Sequence, residues 1–173
     1  MEVGSQVENL EVGDRVIALT GNGGFSEEVI VSPERIVNIP DSMSFDVAAS
    51  IPVTYGTAYH MLVYLGNLSK NESVLIHHAA GGVGTAVSQI CDAYGVSLVV
   101  GTASSPKKDF VESMGMRFVD RDSEDFVEVC KDMTDGKGVH HAIDPVGGRH
   151  LMRSLMATRR GGKLYYFGAS GAV

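Results

Sequence analysis

Short apolar runs separated by segments of helical periodicity dominate the chain from Ser73 onward. The apolar runs predict strands at 73–78 (SVLIHH), 97–102 (SLVVGT), 117–119 (RFV), 139–144 (VHHAID) and 163–168 (KLYYFG). The segments between them predict helices near 83–94, 106–114, 123–133 and 148–158. Gly95 and Gly115 stand where two of these helices should end. Helices between short apolar strands predict right-handed crossovers and a doubly wound parallel α/β sheet of five strands.

The residues before Ser73 follow a different pattern. Three short β-like runs occupy 14–20, 25–32 and 35–40, and Asn22-Gly23 between the first two is typical of a tight hairpin turn. Ser44 is suited to cap a helix that Pro52 ends or restarts, and 54–65 is apolar at helical spacing up to Gly66. We therefore expect a small β fragment at 1–43, linking helices at 44–70 and the parallel sheet at 71–173.

Composition and charge narrow the class of protein. The 173 residues include 14 Lys and Arg against 21 Asp and Glu, a formal net charge of −7, so binding to nucleic acid is not expected. No apolar run reaches the roughly 20 residues that cross a bilayer. The first residues have neither the basic region nor the apolar core of a secretory signal, and two cysteines cannot form a disulfide framework. A cytoplasmic protein is the expectation.

A glycine-rich segment supplies the strongest chemical signal. The sequence HHAAGGVGTA at 77–86 directly follows the first strand of the sheet and precedes a helix. It resembles the G-x-G-x-x-G fingerprint of dinucleotide-binding (Rossmann) folds, with alanine in the first glycine position. Such a turn presents the backbone N–H groups of a helix N-terminus to a pyrophosphate. The alternative is a tight strand-to-helix turn without a ligand; the strands and helices around it favour binding.

The end of the second strand predicts which dinucleotide binds. NAD enzymes place Asp or Glu there to hold the ribose 2′-hydroxyl. This chain has Gly101-Thr102-Ala103-Ser104-Ser105-Pro106-Lys107-Lys108, with hydroxyls and two lysines but no acid. That set complements a 2′-phosphate and favours NADPH. The alternative interpretation is a helix cap at Ser105 and lysines on a solvated helix face.

Several short motifs occur in an order that resembles a known family. They are GDRV at 13–16, GFSE at 24–27, TAY at 57–59, HHAAGGVG at 77–84, GTASS at 101–105, DGKGV at 135–139, DPVGG at 144–148 and FGASG at 167–171. The combination resembles the medium-chain dehydrogenase/reductase superfamily, in particular its zinc-free quinone oxidoreductase branch. The resemblance implies a GroES-like catalytic domain before the Rossmann domain, of which 1–43 would be the last part. It also implies that the family fold continues past FGASG, so this chain would be a fragment.

The resemblance also implies roles for individual residues. Thr57 would lie near the nicotinamide as the candidate catalytic residue. The pyrophosphate would lie on Ala80, Gly81, Gly82, Val83 and Gly84. Ser104 with Lys107 or Lys108 would contact the 2′-phosphate. Arg121 stands where the family often has an aromatic contact to adenosine phosphate, and arginine can also hold phosphate. The two later turns would line the cofactor with Val146, Gly147, Phe167 and Gly168.

The expected activity is NADPH-dependent, zinc-independent reduction of a quinone or a conjugated carbonyl (enone). Two alternatives stay open: an NADPH-binding, partner-interaction protein with little turnover, and an enoyl reductase module cut from a larger synthase. A homodimer is expected, and peripheral association with a membrane stays open. We expect this chain to bind cofactor but to turn over poorly.

No metal site is predicted. The histidines of the pairs 77–78 and 140–141 point to opposite faces of a strand, so neither pair can chelate one ion. A structural zinc site needs four thiolates, and only Cys91 and Cys130 are present. Cys91 lies among apolar residues at helical spacing, which predicts a buried thiol.

Overall fold

A parallel five-stranded sheet forms the centre of the larger part of the chain. The computed structural model describes residues 2–171. The sheet contains β3 (Ser73–His77), β4 (Leu98–Ala103), β5 (Arg117–Asp120), β6 (Val139–Asp144) and β7 (Thr158–Tyr166). Its strand order is β5-β4-β3-β6-β7, and every neighbouring pair is parallel. The predicted doubly wound parallel α/β fold is confirmed.

Helices cover both faces of this sheet. They are α1 (Phe45–Tyr59), α2 (Gly82–Ala93), α3 (Lys108–Ser113), α4 (Phe126–Asp132) and α5 (Gly148–Ala157), and a π-helical turn, His60–Leu65, continues α1. Alternate residues of β3 enter two separate cores. Val74 and Ile76 pack with α2, whereas Leu75 packs with the face that α4 covers. All five residues of β3 are buried, because the central strand of a parallel sheet is covered on both sides.

Helix ends follow the predicted signals in most places. Gly95 and Gly115 adopt φ values of 66° and 78° after α2 and α3, the left-handed conformation that glycine accepts most easily. Ser44 caps α1, since its Oγ accepts the Val47 N–H at 3.3 Å. After the π-helical turn the left-handed residue is Asn67, with φ 52°, and Gly66 stays helical.

The predicted hairpin near the N-terminus is wrong. The structure has β1 (Val16–Ala18) paired antiparallel with β2 (Ile36–Asn38), and residues 25–32 form no strand within the part of the chain that the structure describes. Residues 25–32 include Val29, Ile30 and Val31, which favour strands, but a strand also needs a hydrogen-bonded neighbour. Here β2 takes that place beside β1.

Pro52 does not interrupt the first long helix. It lies inside α1, which runs continuously from Phe45 to Tyr59. The prediction that Pro52 ends or restarts a helix is therefore wrong. Proline removes one backbone hydrogen bond and usually kinks a helix, but it does not forbid continuation.

The chain divides into two compact units, 1–53 and 54–173. The second unit contains the parallel sheet, both of its cores and all of the predicted site residues. Within the described residues, no helix is both long enough and apolar enough to cross a membrane.

Candidate nucleotide-binding site

The glycine turn lies between the central strand and the first turn of α2. His78, directly after β3, adopts φ 55°, and its carbonyl accepts the Gly81 N–H at 2.8 Å. Ala79 N–H donates to the Thr102 carbonyl at 3.0 Å, which ties the turn to the end of β4. Gly81 is the extended N-cap of α2, and no side chain caps it. The N–H groups of the first turn of α2 have no intrahelical partner, which is the feature that a phosphate site uses.

The glycines of this turn are needed for space. A Cβ on Gly84 would lie 2.3 Å from the Ala79 carbonyl oxygen, so α2 packs directly on the turn. A Cβ on Gly82 would lie 2.8 Å from Thr54 Cγ2, and one on Gly81 would lie 3.2 Å from the His78 oxygen. The cradle thus fits a group that approaches the backbone closely.

Helix α1 brings Thr57 toward this turn. Thr54 contacts the site of Gly82, and Thr57 lies three residues further along the same helix, on the same side. Thr57 is half-buried. Tyr55 donates a hydrogen bond to Gln89 and so links α1 to α2. The predicted role of Thr57 beside the nicotinamide stays a prediction.

Basic residues collect at the ends of β4 and β5. Ser104 follows β4, and its carbonyl accepts the Lys107 N–H at 2.9 Å. Lys108 makes only a long ion pair with Glu112 at 4.0 Å, with both side chains about half exposed. Arg121 N–H donates to the Ala103 carbonyl at 3.0 Å, so Arg121 starts beside Ser104. The four predicted phosphate contacts therefore all follow the carboxyl ends of β4 and β5.

An acid that the sequence analysis overlooked lies at the same edge. Asp120 ends β5 opposite Ala103, and Ser105 Oγ donates to its Oδ2 at 2.5 Å. The Ser105 hydrogen bond, together with the Asp122 N–H and Arg121, lowers the pKa of Asp120 below its usual value. The absence of an acid after β4 was the argument for NADPH; the parallel neighbour β5 supplies one. The carboxyl ends of adjacent parallel strands lie side by side. The position of Asp120 directly after the predicted strand 117–119 was therefore the sequence signal that could have identified it.

The turns after β6 and β7 lie side by side. The Pro145 carbonyl accepts the Ser170 N–H at 3.0 Å, and the Val146 carbonyl accepts the Gly171 N–H at 2.9 Å. Gly147 has φ 76°, and a Cβ on it would lie 2.8 Å from the Tyr166 ring, so only glycine fits. A Cβ on Gly168 would lie 2.9 Å from the Pro145 oxygen. The four residues predicted in these turns therefore lie together at the carboxyl ends of β6 and β7. They are Val146, Gly147, Phe167 and Gly168.

Asp144, the last residue of β6, fixes the turn that follows this strand. Its Oδ1 accepts the N–H groups of Val146 at 2.7 Å and Gly147 at 2.9 Å. Its Oδ2 accepts Ser154 Oγ–H at 2.5 Å and His150 Nδ1–H at 3.1 Å. The side chain has no exposure to solvent. Burial alone would raise the pKa of Asp144, but these hydrogen bonds reverse the effect and lower it well below the ordinary range.

His77 extends the network to β4. Since Ser154 donates its proton to Asp144, its oxygen accepts from His77 Nε2–H at 3.1 Å. His77 Nδ1 then accepts the Thr102 hydroxyl at 2.8 Å. Burial, with the nearby His150, lowers the pKa of His77 to about 3. His77 is therefore neutral at physiological pH and acts as a fixed link between two hydroxyls.

The same network is the only metal-type cluster within residues 2–171. One ligand atom from each of His77, Asp144 and His150 lies within 4.8 Å of the others. The Ser154 hydroxyl stands between His77 and Asp144, so zinc would have to displace it and its two hydrogen bonds. Both cysteines are buried, and burial raises the pKa of each thiol to about 12, which disfavours thiolate ligands. Zinc is not a fitting occupant, and its absence stays a prediction that metal analysis of the purified protein would test.

The sequence analysis did not identify His150 and Ser154 as partners of His77. They lie four residues apart on α5, and therefore on one face of it, immediately after the DPVGG turn. That spacing was visible. The contact with His77, 77 residues from Ser154 along the chain, depends on the order of the strands.

A glycine turn that joins a central parallel strand to a helix, at the point where the strand order reverses, defines a dinucleotide-binding type of α/β domain. Residues 82–173 match the family model described as zinc-binding dehydrogenase. The chain belongs to the medium-chain dehydrogenase/reductase superfamily, in its quinone oxidoreductase branch.

Individual relatives support this membership. The synaptic vesicle membrane protein VAT-1 homolog of Danio rerio is 38% identical over 169 residues, which are 97% of this chain and 35% of that protein. A quinone oxidoreductase from Pseudomonas syringae superposes with a TM-score of 0.87 at 34% identity, over 97% of this chain and 52% of that one.

Two further solved structures have other titles. The CurK enoyl reductase superposes with a TM-score of 0.85 at 34% identity, over 98% of this chain and 51% of that one. The mycobacterial protein Rv1454c complexed with NADPH gives a TM-score of 0.88 at 29% identity, over 96% of this chain and 53% of that one. The chain thus spans about a third of the VAT-1 relative and about half of each of these structures.

Proposed function

We propose that this chain contributes the cofactor-binding part of an oxidoreductase that transfers hydride from NADPH to a quinone or a conjugated carbonyl. The observation that carries the proposal is the convergence of the glycine turn, the basic edge and the two later turns at the carboxyl ends of the parallel strands. Relatives described as a quinone oxidoreductase, an enoyl reductase and an NADPH complex support it.

Each part of the site has a defined task in this proposal. The N-terminus of α2, with Ala80, Gly81, Gly82, Val83 and Gly84, holds the pyrophosphate. Ser104, Lys107, Lys108 and Arg121 hold the 2′-phosphate. The turns that contain Val146, Gly147, Phe167 and Gly168 would contact the nicotinamide, as would the Thr57 hydroxyl. The bound nicotinamide supplies the hydride; the protein orients it and limits the access of water.

Direct titration with each cofactor tests the binding step. Nicotinamide fluorescence should show tighter binding of NADPH than of NADH. In the double variant Lys107→Ala with Lys108→Ala, affinity for NADPH should fall about tenfold to a hundredfold, the range for charge-assisted hydrogen bonds. Affinity for NADH should stay nearly unchanged in the same variant. Equal affinities of the wild type for the two cofactors would refute the assignment of the 2′-phosphate site.

Turnover separates the proposed activity from the alternatives. NADPH oxidation is followed by absorbance with a simple quinone, then with a conjugated enone, then with an enoyl thioester. Reduction of the quinone or enone supports the proposal, whereas exclusive reduction of the enoyl thioester favours the enoyl reductase interpretation. Because this chain alone is expected to turn over poorly, the assay also uses a version extended to the full family fold. In that version, binding of NADPH without oxidation by any acceptor favours a cofactor-binding protein with little turnover.

A further inference from the structure

A polar cavity lies at the end of the parallel sheet opposite the glycine turn. It has a volume of about 300 Å³, which is the lower end of the range for small-molecule sites. It opens near the amino ends of β3, β6 and β7. The lining residues are Glu72, His140, His141, Arg159, Arg160, Gly161, Gly162 and Lys163.

The lining carries an excess of positive charge. Arg159, Arg160 and Lys163 are three cations against the single carboxylate of Glu72. Glu72 is already engaged, since its Oε2 accepts the Ser69 N–H at 2.9 Å and His141 Nε2–H at 2.9 Å.

Two obligatory hydrogen-bond donors face the two ring nitrogens of His140 in this cavity. The Ser73 N–H donates to Nδ1 at 3.0 Å, and Ser73 Oγ lies 3.0 Å from the same nitrogen. Arg159 Nη1, which can only donate, lies 2.5 Å from Nε2. The nearby Arg159 and burial lower the pKa of His140 and so disfavour a second proton on the ring. A neutral ring accepts at one nitrogen only, so one of these two donors gains from a further acceptor.

We propose that this cavity binds a phosphate group, as a free phosphate compound or as a phosphorylated headgroup. The guanidinium of Arg159 would donate to its oxygens. Arg160 would add charge, as would Lys163, whose Nζ also donates to the Gly66 carbonyl. The five residues of β3 separate this cavity from the glycine turn by roughly 16 Å, at about 3.3 Å per residue. The site is therefore separate from that of the cofactor, and the inference does not depend on the proposed activity.

Calorimetric titration with inorganic phosphate, in a buffer without other multivalent anions, provides the test. We expect one saturable site in the wild type and binding weakened at least about tenfold in Arg159→Gln and in Arg160→Gln. Arg160 is exposed, so its variant tests the site without a change in the buried contacts. Lys137→Gln removes one exposed charge outside the lining and should bind as the wild type does. Glu72→Gln removes the one negative charge and should bind phosphate more tightly.

Three results would overturn the proposal. They are no phosphate binding by the wild type, unchanged binding in both arginine variants, and loss of binding only in the Lys107→Ala, Lys108→Ala variant, which would place the ion at the cofactor site. Sedimentation with phosphatidylcholine vesicles, with and without phosphatidylinositol 4-phosphate, then distinguishes the sources. Vesicle binding that requires the phosphorylated lipid and Arg160 assigns the site to a headgroup. Phosphate binding without vesicle binding assigns it to a soluble compound.

Discussion

A polar network surrounds the end of β6, and its members supply most of one another's hydrogen bonds. It consists of Asp144, His150, Ser154, His77 and Thr102. Asp144 accepts four hydrogen bonds without exposure to solvent, and two of them fix the N–H groups of the turn that the nicotinamide would contact. Among the described residues, no buried polar side-chain atom lacks a partner. A buried carboxylate with this many donors holds its turn in one conformation, because any rearrangement would leave a charge unpaired.

Acid should destabilise the protein through His77. Its pKa is about 3 in the folded state and near 6.5 when unfolded, so between these values the unfolded chain binds more protons. Stability therefore falls as pH falls through this window, by up to about 1.4 kcal/mol per pH unit. Denaturant unfolding between pH 6 and 4.5 should show a shallower pH dependence in His77→Gln than in the wild type. His60→Gln, which alters an exposed histidine, should keep the wild-type slope; equal slopes in all three proteins would contradict the assignment.

Asp120 should restrain the preference for NADPH. Its carboxylate accepts from Ser105 at the edge where Ser104, Lys107 and Arg121 would hold the 2′-phosphate. Asp120→Asn keeps the acceptor oxygen but removes the charge, so affinity for NADPH should rise about threefold to tenfold. Affinity for NADH should change little. Ser105→Ala, which removes the hydrogen bond and leaves the charge, serves as the matched control. A fall in NADPH affinity in Asp120→Asn would instead mean that Asp120 orients the basic residues.

At the scale of elements, the junction of β3 and α2 is set by how closely the helix approaches the turn. A Cβ at Gly84 would overlap the Ala79 carbonyl at 2.3 Å, so Gly84→Ala should push α2 away. We expect a loss of about 1–3 kcal/mol in unfolding free energy, the usual cost of overpacking, and weaker NADPH binding. Gly56→Ala in α1 meets no atom within 4 Å and should stabilise the protein by about 0.5–1 kcal/mol. Denaturant titration of both variants compares them; a neutral Gly84→Ala would show that the junction can relax.

The elements that were predicted well are those whose local sequence is enough to determine them. The central strand β3 is buried on both faces, and Gly95 and Gly115 mark helix ends by their conformational freedom. The strand predicted at 25–32 is wrong because residues that favour strands do not by themselves specify a hydrogen-bonded neighbour. Asp120 and the His77–Ser154 contact were not seen because both join segments that only the strand order brings together. The predicted roles in cofactor binding stay predictions, since they concern a ligand.

At the scale of the whole molecule, the two compact units differ in how much core they possess. Among the described residues of the first unit, the buried apolar side chains are Ile39 and Ala48. The exposed apolar side chains there include Val12, Leu19, Phe25, Val29, Ile30 and Val37. The second unit contains both of the cores that cover the parallel sheet. A segment with so few buried contacts contributes little to its own stability and offers apolar surface to a partner or to a second copy.

Hydrogen–deuterium exchange should therefore separate the units. Amides of β1 and β2 should exchange much faster than those of β3, β4 and β6, because local opening of the first unit exposes little apolar surface that is not already exposed. If the expected self-association involves this surface, protection of residues 12–37 should rise with protein concentration, and apparent mass in light scattering should rise with it. Phe25→Ser with Ile30→Ser should reduce both effects, while Met152→Ser, an exposed apolar residue on α5, should not. Uniform, concentration-independent protection of both units would contradict this account, because it would require the first unit to be stabilised by contacts other than its own sparse core.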